Sequence, residues 1–311
     1  MNNESMVAEF ILLGLSSVPE MDAALFSVFL IMYLICMTGN LAIIIIACVD
    51  PALNTPMYFL LANLSFLDVV CTTSTIPNML VNFFSESKVI SFQGCVVQMF
   101  VFTAAMDTEF LLLTLMSLDR YLAICNPLRY KSIMSKQACI CMSAVVWSFG
   151  LCSSTYHTSS TFRLSFCASN KINHFFCEIP QILALSCSDT HINELVLIVT
   201  DVILGVVCFV LIFMSYVFII IAVLKIRSVE GKKKAFSTCA SHLTVVVLFY
   251  GTLIFAYFRP SSGNSSNTDK IIAVLYTIVI PMLNPLLYSL RNKEVKESIK
   301  KVIFRQNHIN H

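Results

Sequence analysis

Apolar positions gather into seven long runs, at about residues 23–48, 57–81, 93–125, 138–158, 195–224, 238–258 and 271–290, separated by short polar segments. A helix rises 1.5 Å per residue, so crossing a ~30 Å hydrocarbon core takes roughly 20 residues, and each run is near that length. The pattern predicts an all-α membrane protein, a seven-transmembrane helix bundle over residues 23–290, with a tail at 1–22 and a final segment at 291–311. In that last segment Val295, Ile299, Val302 and Ile303 recur at helical spacing among lysines, which predicts a short amphipathic eighth helix lying on the inner leaflet. The first 22 residues hold Glu4, Glu9, Glu20 and Asp22 and only a short apolar patch, Phe10 to Leu15. They lack the basic start and long core of a cleaved signal peptide, so the first span is expected to act as the insertion signal.

Composition supports the same class. Of 311 residues, 57% are hydrophobic and 12% charged, with a mean hydropathy of +0.81; an ordinary soluble domain carries charge on about a quarter of its residues. The net charge of +2 makes no nucleic-acid surface, because the basic residues divide by side of the membrane. Fifteen of the 20 Lys and Arg share one side, and Lys88, Arg163, Lys171, Arg259 and Lys270 face the other. The positive-inside rule then puts the N-terminus outside and the C-terminus in the cytoplasm of a multi-pass plasma-membrane protein, as an odd number of spans also requires.

Nine of the 13 cysteines fall in or below the spans and are expected to be reduced, small and apolar. Cys95, Cys167, Cys177 and Cys187 lie outside, where thiols pair. Four cysteines allow three connectivities; a Cys95–Cys177 bridge would pin the long external loop over the third span. Asn3-Glu4-Ser5 is a glycosylation sequon on an external tail expected to be mobile, and Asn264-Ser265-Ser266 is a weaker one.

Ionisable side chains inside a bilayer cost roughly 2.5 to 3.5 kcal/mol each on insertion scales and call for a partner or a hydrated cavity. Asp68, Asp107, Glu109 and Asp201 lie within spans. Asp68 and Glu109, near Asn40, Asn284 and Ser289, suit a bound Na+, a shared proton or a hydrogen-bonded network without an ion. Asp107 lies two residues from Glu109, roughly 200° around a helix, so the two face different neighbours. With Asp201 and His157, Asp107 is placed in an upper cavity. There it either anchors a polar ligand group such as an amine, or is bonded to a neighbouring helix or protonated. Phe102, Met106, Thr200, Leu204, Tyr250, Leu253 and Tyr257 supply the rest of the lining, which suits small lipophilic molecules. At the inner end of the third span, Asp119, Arg120 and Tyr121 combine an acid, a permanent cation and a phenol, so that Arg120 can be held by Asp119 or released to a partner. No catalytic nucleophile, metal cluster or other cofactor site is recognisable, which argues against an enzyme, and no related halves suggest a transporter.

Taken together these residues resemble the olfactory receptors of the rhodopsin-like G-protein-coupled family over almost the whole length. The likeness rests on Phe10 to Leu15, Gly39-Asn40, Pro56-Met57-Tyr58-Phe59-Leu60, Leu64-Ser65 through Asp68, and Met116-Ser117-Leu118-Asp119-Arg120-Tyr121-Leu122-Ala123-Ile124-Cys125. It continues through Ser215-Tyr216, the run from Lys234 to His242, and the run from Pro281 to Asn292. The resemblance implies an odorant ligand, a stimulatory heterotrimeric G protein raising cAMP, and bridges Cys95–Cys177 and Cys167–Cys187. It further implies that Arg120 leaves Asp119 on activation, that Tyr216 moves toward Arg120, and that Asn284, Pro285 and Tyr288 rearrange the seventh span. Two departures stand out: Ser117-Leu118 replaces the usual Ala-Tyr before Asp119, and Asp107 stands where the family more often has a small residue.

Overall fold

The structure, a computed structural model, describes residues 8–15, 19–167, 169–257, 265–291, 295–298 and 301. Seven helices are long and apolar enough to cross a membrane: α1 Pro19–Val49, α2 Pro56–Asn82, α3 Phe92–Cys125, α4 Lys136–Thr161, α5 His191–Lys225, α6 Val229–Tyr257, and α7, which runs through Ser265–Val274, Leu275–Val279 and Ile280–Arg291. Their starts follow local chemistry. Pro56 opens α2, where its fixed φ suits a first turn and its missing N–H would have had no partner. The Ser91 hydroxyl accepts from the Gly94 N–H at 3.0 Å to open α3, and Ser135 does the same for Ala138 at the head of α4.

The boundaries differ from expectation mainly at α6, which begins nine residues before the apolar run, so that Lys232 to Lys234 are helical. A hydropathy pattern marks only the part of a helix that lies in lipid; this one continues past it. α7 is interrupted as well. Over Leu275–Val279 it widens to a π turn, with the Ile280 N–H bonded to the Leu275 carbonyl, and Pro285 removes a further backbone donor below. Of the expected eighth helix, residues 295–298 and 301 are described and helical. Val295 is buried and Ser298 donates to Asp50 of the first inner turn; Ile299, Val302 and Ile303 lie outside the described residues, as do Asn3 and Asn264.

α3 is the axis of the bundle: 61% of its apolar window is buried, against 22% for α5. Two glycines permit the closest helix approaches. A Cβ on Gly150 of α4 would stand 2.2 Å from Thr108 Oγ1 and 2.7 Å from the Ala104 carbonyl of α3, and one on Gly39 of α1 would stand 2.8 Å from Pro285 Cγ of α7. The Asn40 amide ties the same pair, donating to the Pro281 carbonyl at 3.0 Å.

On the outer side the helical bundle gains a small sheet, β1 Glu9–Leu12 flanked by β2 Val89–Ser91 and β3 Lys171–Ile172. β1 pairs antiparallel with β2, Phe10 opposite Ile90, and parallel with β3, Leu12 opposite Ile172. The tail expected to be mobile is therefore built in from Glu9 onward. Alternation puts Phe10 and Leu12 inward, and both are fully buried with Ile90, Cys95, Met99 and Cys177 in a second apolar core. Gly14 turns the chain at φ +75°, and its N–H donates to the His174 carbonyl. Both implied bridges, Cys95–Cys177 and Cys167–Cys187, are formed. Gln98 secures the first of them, accepting from the Cys177 N–H and donating to the Ser74 carbonyl, both at 2.8 Å.

Gly150→Ala is expected to destabilise the protein by roughly 1–3 kcal/mol, because the new methyl meets backbone. Gly251→Ala, with nothing within 4 Å of the added carbon, should be neutral or stabilise α6 by up to about 1 kcal/mol. Thermal unfolding of the purified full-length chain checks both.

Candidate functional site

The polar side chains inside the bundle form three levels. At the outer level the disulfide-pinned loop carries Phe176 and Glu178 over α3. The Phe176 ring meets Phe102 edge-on at 4.9 Å, Phe102 lies 5.8 Å from Tyr276 of α7, and the Tyr276 hydroxyl donates to Glu178 Oε1 at 2.9 Å. Asp107 is 6% exposed, stands beside Ser153 of α4, and its Oδ2 has no hydrogen-bond partner. Asp201 of α5 lies within electrostatic reach of both Asp107 and Glu178. Below them Tyr250 of α6 packs among Phe110, Phe209 and Phe249 at ring distances of 5.2–5.9 Å, its hydroxyl also without a partner.

Leu204 is buried and Met106 and Leu253 partly buried against the same core. Thr200 was expected in the lining, and its hydroxyl donates to the Val196 carbonyl of its own helix. His157 is buried in α4 with its ring edge-on to Tyr156. The side chain of Tyr257 lies outside the described residues. A groove of about 870 Å³ opens between α2 and α3 around Val69, Val97 and Val101. None of the expected lining residues reach it, so the partnerless polar atoms, rather than this groove, mark the candidate site.

At the middle level Asn284 Nδ2 donates to both oxygens of Asp68, at 3.1 and 3.0 Å, and Glu109 approaches closely enough to interact with Asp68 electrostatically. Glu109 thus faces α2 and α7 while Asp107 faces α4 and α5, as the 200° offset requires. Glu109 Oε1 and Asn284 Oδ1 are buried with no partner. The expected contributions of Asn40 and Ser289 are different in the structure. Asn40 binds the Pro281 and Cys36 carbonyls, and the Ser289 hydroxyl points back to Leu286.

At the inner level, Asp119 and Arg120 are buried but do not pair. Asp119 Oδ1 accepts the Tyr130 hydroxyl at 2.7 Å, from the short helix Pro127–Ile133. Arg120 Nη1 contacts the Met57 thioether and Nε has no partner. A phenol on a rigid adjacent helix reaches the carboxylate, and adjacent helix positions point Asp119 and Arg120 apart. Tyr216 is held away from Arg120: its hydroxyl lies 2.8 Å from His242 Nδ1, and His242 Nε2 lies 3.1 Å from the Leu113 carbonyl. A carbonyl only accepts, so Nε2 carries the hydrogen and Nδ1 accepts from Tyr216, joining α5, α6 and α3 through one fully buried imidazole. Tyr121 faces Phe218 of α5, Pro285 packs on Gly39, and Tyr288 is buried with a partnerless hydroxyl. His242, Tyr130, Glu178 and Tyr276 were missed as site residues. The place of Glu178 next to Cys177 was the available signal for one of them.

The olfactory receptor family profile matches residues 29–306. Olfactory receptor 5I1 of Homo sapiens is 52% identical over 303 residues, covering 97% of this chain and 96% of that protein. Olfactory receptor 5AR1 of Homo sapiens is 50% identical over 301 residues, 97% of each chain. The olfactory receptor-like protein OLF1 of Canis lupus familiaris is also 50% identical over 301 residues.

Two titratable groups of the outer loop are perturbed. Burial pushes the Glu178 carboxyl up to about 7, with Asp269 adding to the rise and the Tyr276 bond opposing it. Burial, reinforced by Lys270, pushes His174 down to about 3. Folded Glu178 holds its proton more tightly than the unfolded chain does, so its contribution makes stability fall as pH rises from about 4.5 to about 7. His174 acts in the opposite sense, with stability rising from about pH 3 to 6.5. Thermal unfolding of Glu178→Gln across this range should lose the fall and keep the rise.

Proposed function

Because the chain belongs to the olfactory receptor family, a family of receptors and not of enzymes, we propose that its ligands are small, mainly lipophilic odorants bound in the outer half of the bundle. The binding level lies between α3, α5 and α6 beneath the loop that carries Phe176 and Glu178. Occupancy raises cAMP through a stimulatory heterotrimeric G protein at the inner face. The positive-inside distribution of Lys and Arg supports an outer N-terminus and a cytoplasmic C-terminus at the plasma membrane.

The observation that carries this reading is Arg120, 5% exposed at the inner end of the axial helix, with no carboxylate among the described residues paired to it. A buried guanidinium with an unused Nε–H is ready to donate new hydrogen bonds. The Tyr216–His242–Leu113 chain spans the interface through which α6 must open, and both Phe110 and Tyr250 at the ligand level pack on Phe249 of that helix. A ligand that wedges Tyr250 favours an arrangement in which α6 shifts, His242 lets go of Tyr216, and the freed phenol swings toward Arg120. The π turn and Pro285 lower the cost of bending α7 in the same transition.

A sodium ion suits the middle level. Glu109 Oε1 and Asn284 Oδ1 are partnerless oxygens beside the Asp68 carboxylate, a hard, anionic donor set. These three residues would hold it, and it would balance their charge and tie α2, α3 and α7 in the resting arrangement. At a salt concentration a few-fold above Kd, NaCl should stabilise the purified protein over choline chloride by about 1 kcal/mol, and Glu109→Gln should lose the difference.

Arg120→Ala should reach the cell surface yet lose odorant-stimulated cAMP to about background in cells co-expressing a stimulatory G protein. A full response from this variant would overturn the switch.

A further inference from the structure

We propose that the odorant is a protonated amine, its ammonium seated between Asp107 of α3 and Asp201 of α5 below Glu178 of the outer loop. The inference rests on the reading of this level as the odorant cavity and narrows it to one chemical class.

Asp201 of α5 lies within electrostatic reach of two further carboxylates from separate parts of the chain, Asp107 of α3 and Glu178 of the outer loop. Among the described residues no lysine, arginine or histidine forms an ion pair with any of them. Gathering like charges in a poorly hydrated space is unfavourable unless they bind protons or a cation. Two buried polar groups show that the space is built for a donor or acceptor brought from outside. Asp107 Oδ2, on a side chain more than nine-tenths buried, has no partner, and neither has the hydroxyl of Tyr250, 7% exposed. Tyr250 packs on Phe110, which lies three residues after Asp107 and so on the same side of α3. Ser153 of α4 hydrogen-bonds the Asp107 carboxylate, and among the described residues nothing satisfies Oδ2 or the Tyr250 hydroxyl.

An alkylammonium matches this arrangement. Its N–H donors suit the partnerless Asp107 Oδ2, with the Asp201 carboxylate within electrostatic reach of the same charge and Glu178, whose Oε1 takes the Tyr276 hydroxyl, within reach of Asp201. Its hydrocarbon body would lie on Phe102, Leu204 and the Phe110–Tyr250 pair. A metal ion fits less well, since among the described residues no three His, Cys, Asp or Glu side chains converge at metal-ligand spacing.

The test uses purified full-length protein at neutral pH and the straight-chain amines from butylamine to octylamine, with the alcohols and carboxylic acids of the same lengths. Thermal stabilisation against ligand concentration should show amines binding the wild type at least about tenfold more tightly than the matching alcohols. Asp107→Asn and Asp201→Asn, which keep side-chain size, should each weaken amine binding at least about tenfold more than alcohol binding and so remove that preference. Alcohols or acids binding as tightly as amines in the wild type would overturn the proposal without any variant having to fold, and so would amine binding unaltered in both variants. A cAMP assay on the same compounds separates this from the receptor reading. Activation by alcohols with amines inert overturns the amine while odorant signalling stands. Carboxylate-dependent amine binding without cAMP supports the amine and removes the coupling.

Discussion

In a bilayer a polar group without a partner costs several kcal/mol, because no water is at hand to replace the missing bond. α3 carries four acidic or basic side chains, Asp107, Glu109, Asp119 and Arg120, each more than nine-tenths buried. The rest of the bundle is arranged to meet them, each from a different direction. Glu109 looks toward Asp68 and Asn284 on α2 and α7, Asp119 toward Tyr130 beyond its own C-terminus, Arg120 toward Met57 at the head of α2, and Asp107 toward α4 and α5. What distinguishes the functional positions is that the match is incomplete. Asp107, Glu109 and Arg120 each keep one atom with no partner, which makes each a place where a change of state can bring in a new bond.

Close packing makes those arrangements discrete. With Gly150 against the Ala104 backbone and Gly39 against Pro285, the α3–α4 and α1–α7 contacts have no slack. Motion is left to α6, entered by a long polar inner extension, and to bending of α7 at its π turn, above the point where Pro285 is fixed on Gly39. His242 sits between the fixed and the movable parts. Its two nitrogens face opposite ways, toward Leu113 of the axis and Tyr216 of α5, so a displacement of α6 breaks both bonds together.

Much of this was legible in the sequence. Seven runs of bilayer length specify the spans, and the offset between Asp107 and Glu109 separates the two polar levels by helix geometry alone. The inner sequence Asp119-Arg120-Tyr121 places an acid, a permanent cation and a phenol together at one end of α3. What remained hidden depends on contacts between residues distant in the chain. Asp119 was expected to hold its sequence neighbour Arg120, yet a phenol eleven residues later takes it. Ser289 looked available for the Asp68 cluster, yet a hydroxyl on a helix bonds readily to its own backbone, as Thr200 does also. Glu178 and Tyr276 meet only because the disulfide and the widened turn bring loop and helix together. The apolar patch at Phe10 was too short for a span, and its strand partners are not adjacent in sequence.

That first strand orders assembly in time. β1 leaves the ribosome among the earliest residues, β2 follows after two helices, and β3 only after four. Until Lys171–Ile172 has crossed the membrane, Phe10 and Leu12 have half of their sheet missing and no closed core to enter. The outer cover of the cavity is therefore completed only when the fourth helix is in place and the loop cysteines can be oxidised. A chain stalled before that point would leave Phe10 and Leu12 exposed, with no apolar core to bury them.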